Sequence, residues 1–179
     1  MHRGDLQWRG VIQVEPINLK LHADECLRFR GESFIESYGN SSRFWGADHQ
    51  GGLRYLQWLE RKMSALPGSC CHAWIDGRIV GQFEAGSASS GPSRGWIYLI
   101  YVVTEWRRRG IGGFLLGKAE DLLSGQGLSP ARLRVSPSNG AAAQLYSSRG
   151  WTPVGQPPDD EGLLVMEKEL RVSQASPQY

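Results

Sequence analysis

The chain has 179 residues, 40% of them hydrophobic, with seven Trp, six Tyr and five Phe. That is enough apolar bulk for one domain with a real core. A net charge of +2 argues against a dedicated nucleic-acid binder. The longest apolar run, Trp96–Val103, is too short to span a membrane, and Met1–Trp8 lacks the apolar stretch of a secretory signal. A cytoplasmic protein without membrane or nucleic-acid partners is expected.

Residues 1–10 read as an N-terminal extension. Val11–Val14 reads as a first strand, ended at Glu15-Pro16. A helix capped by Asp24 or a near neighbour should run to Tyr38, with Leu27, Phe34, Ile35 and Tyr38 at helical spacing. Gly39–Ser42 is a break. A second helix, Leu53–Met63, should turn Leu53, Leu56 and either Trp58 or Leu59 inward and stop at Pro67-Gly68. Cys70–Ile75, Asp76-Gly77 and Ile79–Ala85 make a hairpin signal, because Asp-Gly suits a type I′ turn. Cys70 and Cys71 fit a buried strand better than a disulfide framework or a metal pattern, and no metal is expected. Gly86–Gly95, rich in Ser and Gly, reads as a mobile loop.

Trp96–Val103 is a long buried strand. It leads through Thr104-Glu105-Trp106 into Arg107-Arg108-Arg109-Gly110-Ile111-Gly112-Gly113 and a helix to Leu123. Arg132–Val135 is a short strand and Asn139–Arg149 a helix. Trp151–Val154 and Leu163–Leu170 are the last strands, joined by a loop, Gln156–Glu161. Residues 171–179 read as a disordered tail, leaving 11–170 as one domain.

The turn after the long strand carries the chemistry. A glycine turn that meets a helix N-terminus offers uncommitted N–H groups and a dipole that favours anions. Gly110 and Gly112 let a phosphate approach the backbone, and the arginines add charged donors. From Glu105 to Arg134 there are six Lys/Arg against three acids, which suits a local phosphate better than a long polyanion. A P-loop is absent, and a dinucleotide fingerprint fails at Leu115, where a third glycine is needed. The pattern that remains is Arg107-x-x-Gly110-x-Gly112. Downstream, Asn139 follows Pro137 and precedes an alanine run, as an N-cap should, and Gly150 stands where that helix should end.

These two stretches, Arg107–Gly112 and Asn139–Trp151 with its Leu145-Tyr146 and Gly150-Trp151, resemble in order and separation the motifs of the GNAT family of acyl-CoA N-acyltransferases. The resemblance runs from about Ser69 to Leu170, more weakly from Val11. It implies an α/β fold with a mixed, mostly antiparallel sheet of about seven strands, about four flanking helices and a splay between the fourth and fifth strands. It implies acetyl-CoA as cosubstrate and direct acetyl transfer to a primary amine of a small molecule or peptide, through a tetrahedral intermediate. Backbone at Ile100, Tyr101, Val102 and Val103 would line the pantetheine arm, with one N–H, at Val102, polarising the acetyl carbonyl. Arg107, Arg108, Arg109, Gly110, Ile111, Gly112 and Gly113 would hold the pyrophosphate. Asn139 would bond the pantetheine or only cap its helix.

Tyr146 is the candidate general acid, since a phenol can protonate a departing thiolate. The fourth strand lacks the glutamate many members place there. Glu84 is the remaining candidate base, on a face shared with Gln82 and Val80. Glu105 or a base acting through water are alternatives. His22, His49 and His72 read as surface or core residues. For the acceptor, Tyr38, Phe44, Trp45 and Asp48, with Asp159, Asp160 and Glu161, would form an aromatic wall with carboxylates. A homodimer is compatible with the pattern. The competing reading is an acyl-CoA sensor of the same fold without turnover.

Overall fold

The computed structural model describes residues 11–88, 91–155, 159 and 161–171. The N-terminal extension 1–10, Asp160 and all but the first residue of the expected tail lie outside the described residues. Seven strands form one sheet: β1 (Gln13–Pro16), β2 (Cys70–Ile75), β3 (Arg78–Ala88), β4 (Gly91–Val102), β5 (Ala131–Val135), β6 (Thr152–Pro153) and β7 (Leu164–Lys168). Their order is β1-β2-β3-β4-β5-β7-β6. Every pairing is antiparallel except β4 with β5. Pro16 is tolerated because β1 is an edge strand.

The helices are α1 (Leu19–Tyr38), α2 (Ser42–Trp45), α3 (Gly51–Ala65), α4 (Ile111–Gly125) and α5 (Gly140–Ser148). α1 begins earlier than expected. Asn18, not Asp24, caps it, accepting from the Lys20 amide, and the helix is kinked at His22. Its inward side carries buried Cys26, Phe29 and Gly31, with Arg30 and Phe34 partly buried one and two turns after Cys26, and Ile35 is left half exposed. The additional helix α2 falls beyond the expected break, where buried Phe44 tilts against Phe34 and meets Tyr55 edge-on. Gly51 and Gly52 open α3 because a Cβ at Gly51 would stand 1.7 Å from the Phe44 carbonyl oxygen. The inward face of α3 is therefore Tyr55 and Leu59, and Leu53 points to solvent.

The Asp76-Gly77 turn has positive φ at both residues, as a type I′ hairpin requires. The expected mobile loop is largely strand. β3 runs to Ala88 and β4 starts at Gly91, with Ser87 opposite Gly95. Small residues there fit a ladder as well as a loop.

Two bulges change the faces. Val80 is the extra residue where Trp74 pairs with Ile79 and Ala73 with Gly81. It faces the α4 side with Phe83 and Leu115, so Glu84 shares its face with Gln82 and not with Val80. Tyr98 is the extra residue of β4, between Ile97, opposite Ala85, and Leu99, opposite Glu84. On the α4 side, Ile111, Leu115, Leu116, Ala119 and Leu123 are buried against the sheet; each such leucine is worth about 1.5–3 kcal/mol of burial. α1 and α3 cover the other face, where Phe29 stacks on Tyr101.

Candidate active site

β4 pairs with β5 only at Gly95, Trp96 and Ile97. Beyond Ile97 the two strands part, and the edge of β4 is open. The Val103 amide donates to the Val80 carbonyl at 2.9 Å, which commits Val103 to β3. Alternation commits the Tyr101 amide to β3 as well and turns the N–H groups of Ile100 and Val102 to the open edge. The Val102 carbonyl faces the same way, because the Arg107 Nε reaches it at 2.8 Å.

A groove follows this edge in two adjoining parts. The inner part, about 500 Å³, lies between α1 and the parted strands. The outer part, about 430 Å³, runs over Val102 to Arg107, Arg108, Gly110, Gly112 and Gly113. Glu36, Ile100, Tyr101, Asn139, Ala142 and Tyr146 line both.

The floor of the outer part is the N-terminus of α4. Gly110, at φ +82°, is its N-cap, and no side chain among the described residues caps the helix. The space a Cβ of Gly110 would enter is open. Arg108 takes a positive φ of 61°, a strained conformation for a residue with a Cβ. Arg109 stands over the Trp106 ring, and Ile111 is buried in the core. Neither their side chains nor that of Val103 line the groove, so any contribution from these three is through backbone. α5 forms the far wall. Asn139 caps it, accepting from the Ala142 amide at 3.1 Å. Tyr146 is 7% exposed and borders both parts, and burial raises its phenol to about 12.

Glu84 stands apart from this arrangement. It is fully buried, accepts from Tyr55 and from Gln82 Nε2 at 2.8 Å, and faces Arg30 Nη1 at 3.6 Å. Arg30 is the residue that lines the inner groove; its Nη1 also donates to the Tyr98 carbonyl at 2.9 Å, pinning the bulge. Sequence reasoning missed Arg30. Its signal was a basic residue on the apolar stripe Cys26–Arg30–Phe34. Behind Glu84 the polar chain continues through Gln82 to His72, 3.0 Å away, and on to Cys26. Burial pulls His72 down to about 4, against the hydrogen bond that its Nε2 donates to Gln82 Oε1.

Of the residues expected at the acceptor, Tyr38 and Glu161 line the inner groove and are bonded to each other at 2.8 Å. Arg134 joins them, 2.8 Å from Asp159 and 3.4 Å from Glu161. Phe44 packs in the core and Asp48 is held by Arg54 at 2.6 Å, away from the groove. Trp96 and Tyr98, from β4, complete the aromatic lining. Among the described residues no cluster of His, Cys, Asp or Glu is arranged to hold a metal ion, and no helix is long and apolar enough to cross a membrane.

A family model described as the acetyltransferase (GNAT) family matches residues 32–151. Among solved structures, the chain is similar to the PaiA N-acetyltransferase of Thermoplasma acidophilum in complex with coenzyme A. The two are 18% identical with a TM-score of 0.69, over 89% of this chain and 99% of that one. It is also similar to YncA, a putative acetyltransferase of Salmonella typhimurium with its cofactor acetyl-CoA, at 17% identity and a TM-score of 0.71, over 94% and 98%. A third is the ribosomal-protein-alanine N-acetyltransferase of Brucella melitensis, at 20% identity and a TM-score of 0.69, over 88% and 99%. At these identities the likeness is one of fold. No curated protein matches the sequence.

Proposed function

The chain belongs to the GNAT acetyltransferase family, and on that premise we propose that it transfers an acetyl group from acetyl-CoA to a primary amine. The observation that carries this reading is the open edge of β4 beyond Ile97, which runs directly into an uncapped helix N-terminus beside Arg107 and Arg108. An extended pantetheine arm would pair with that edge as an added strand does. The pyrophosphate would lie on the N–H groups of Ile111, Gly112 and Gly113. The thioester then falls between Val102 and Tyr146, and the amine enters from the inner groove.

The amine nitrogen attacks the thioester carbon and the carbonyl oxygen gains charge. The Val102 N–H, fixed in the strand, stabilises that oxyanion. When the C–S bond breaks, the Tyr146 hydroxyl donates its proton to the departing sulfur, the proton lost from the amine goes to water, and Tyr146 regains a proton from solvent before the next turnover. A phenol raised to about 12 stays protonated throughout the working range. Glu84 does not reach the groove except through Arg30. Its role in this reading is to position Arg30, and Arg30 in turn fixes the Tyr98 bulge where β4 and β5 part. Phe34, Tyr38, Trp96 and Tyr98 give the acceptor an aromatic wall, with Glu36 and Glu161 as the carboxylates in the lining.

The test is thiol release from acetyl-CoA across small amines, polyamines and peptide amines, in wild type and Tyr146→Phe. Release with one amine class, and a kcat lower by about 10²-fold in the variant, supports the reading. Undiminished turnover in Tyr146→Phe removes the acid role. Cofactor binding without release on any amine favours an acyl-CoA sensor.

A further inference from the structure

One ion pair spans the groove. Arg107 Nη2 lies 2.6 Å from Glu36 on α1, while Nε of the same guanidinium donates to the Val102 carbonyl at 2.8 Å. Arg107 thus occupies the strand edge that a bound pantetheine arm would pair with, and Glu36 holds it there. Both side chains are about one-third exposed, so the contact can be exchanged without opening the core. The Arg107 guanidinium also lies 5.7 Å from the Tyr101 ring centroid, on the same stretch of β4. Glu36 borders both parts of the groove, whereas Arg107 borders only the outer one.

We propose that Glu36 is a positioning residue that latches Arg107 across the open edge of β4, and that coenzyme A binds by displacing this guanidinium from Val102. The proposal rests on the reading of the groove as a coenzyme A site. The latch sets two groups against each other: Val102 O and Glu36 on one side, the pyrophosphate on the other, competing for one bidentate cation. A ligand that needs the released state pays the latch's free energy on binding. Displacement also leaves the Glu36 carboxylate without its partner in the wall common to both parts, so cofactor binding would make the inner groove more negative before an amine enters.

Calorimetric titration with coenzyme A in a double-mutant cycle tests this: wild type, Glu36→Gln, Arg107→Ala and the double variant. Glu36→Gln should tighten coenzyme A binding by about threefold, the worth of a partly exposed ion pair. The same substitution in the Arg107→Ala background should change nothing, because the latch is already gone. Equal tightening in both backgrounds would mean that only the lost negative charge matters and would overturn the latch. Unchanged or weaker binding in Glu36→Gln would also overturn it. If neither wild type nor any variant binds coenzyme A, the reading of the groove itself fails, a result separate from a flat cycle among proteins that all bind.

Discussion

Two buried side chains carry opposite protonation problems. Tyr146 is held as a phenol by burial, which suits a donor that must not ionise early. His72 is held neutral by the same cause, down to about 4, and its Nδ1 has no hydrogen-bond partner among the described residues. The consequence for stability is one-sided. The unfolded chain takes up a proton on this histidine near pH 6.5, and the folded chain refuses it until about 4. Stability is therefore fully present above pH 6.5 and falls as pH falls through that window. Urea unfolding at pH 7 and pH 5.5 should show a loss of roughly 1 kcal/mol in wild type that is absent in His72→Gln. An identical pH dependence in the two proteins would contradict the assignment. Residue types at the groove were legible in the sequence where the chain had to bend: Gly110, Gly112 and Asn139 announce a turn and a cap. Arg30 and Glu36 were not, because each is an ordinary helix residue until the tertiary fold sets it against β4.

At the scale of elements, the groove depends on two strand irregularities. The Val80 bulge in β3 sends Val80 to the α4 side and leaves Gln82 and Glu84 on the α1 side. The Tyr98 bulge in β4 precedes the point where β5 leaves. Gly81, next to the first bulge, is required by contact. A Cβ there would stand 2.6 Å from the Tyr101 carbonyl oxygen and 3.0 Å from Leu115 Cδ1. Gly81→Ala should destabilise the protein by about 1–3 kcal/mol and, by pushing β4 away, weaken coenzyme A binding. Urea unfolding and a binding titration read the two effects, and a variant with wild-type values for both would show that the strands yield freely. Strands, helices and the Asp76-Gly77 turn were readable from periodicity and glycine placement. The bulges were not. One extra residue in a strand leaves composition unchanged and only reverses the faces beyond it, which is why Val80 was expected beside Glu84.

For the whole molecule, the order β1-β2-β3-β4-β5-β7-β6 with one parallel pair accounts for the groove. The gap opens on one side of β4: β3 stays paired with it to Val102, whereas β5 is paired along its whole length with β7 but with β4 over three residues only. α1 and Arg30 close the inner side of the gap, and α4 and α5 close the outer side. The topology was legible through the two family-like motifs, since each ties a loop to a helix in a fixed place. The extent of the hairpin β3–β4 was not, because the Ser/Gly stretch that forms its end has the composition of a loop. A coenzyme A site on the open edge of β4 is tested by a measurement that reads location. In a titration of isotope-labelled protein with coenzyme A, followed by amide chemical shifts, the largest changes should fall at Ile100, Val102 and Gly110–Gly113, with Asn139 and Tyr146 next. No shifts at millimolar coenzyme A, or shifts centred on β6 and β7 away from the open edge, would contradict it.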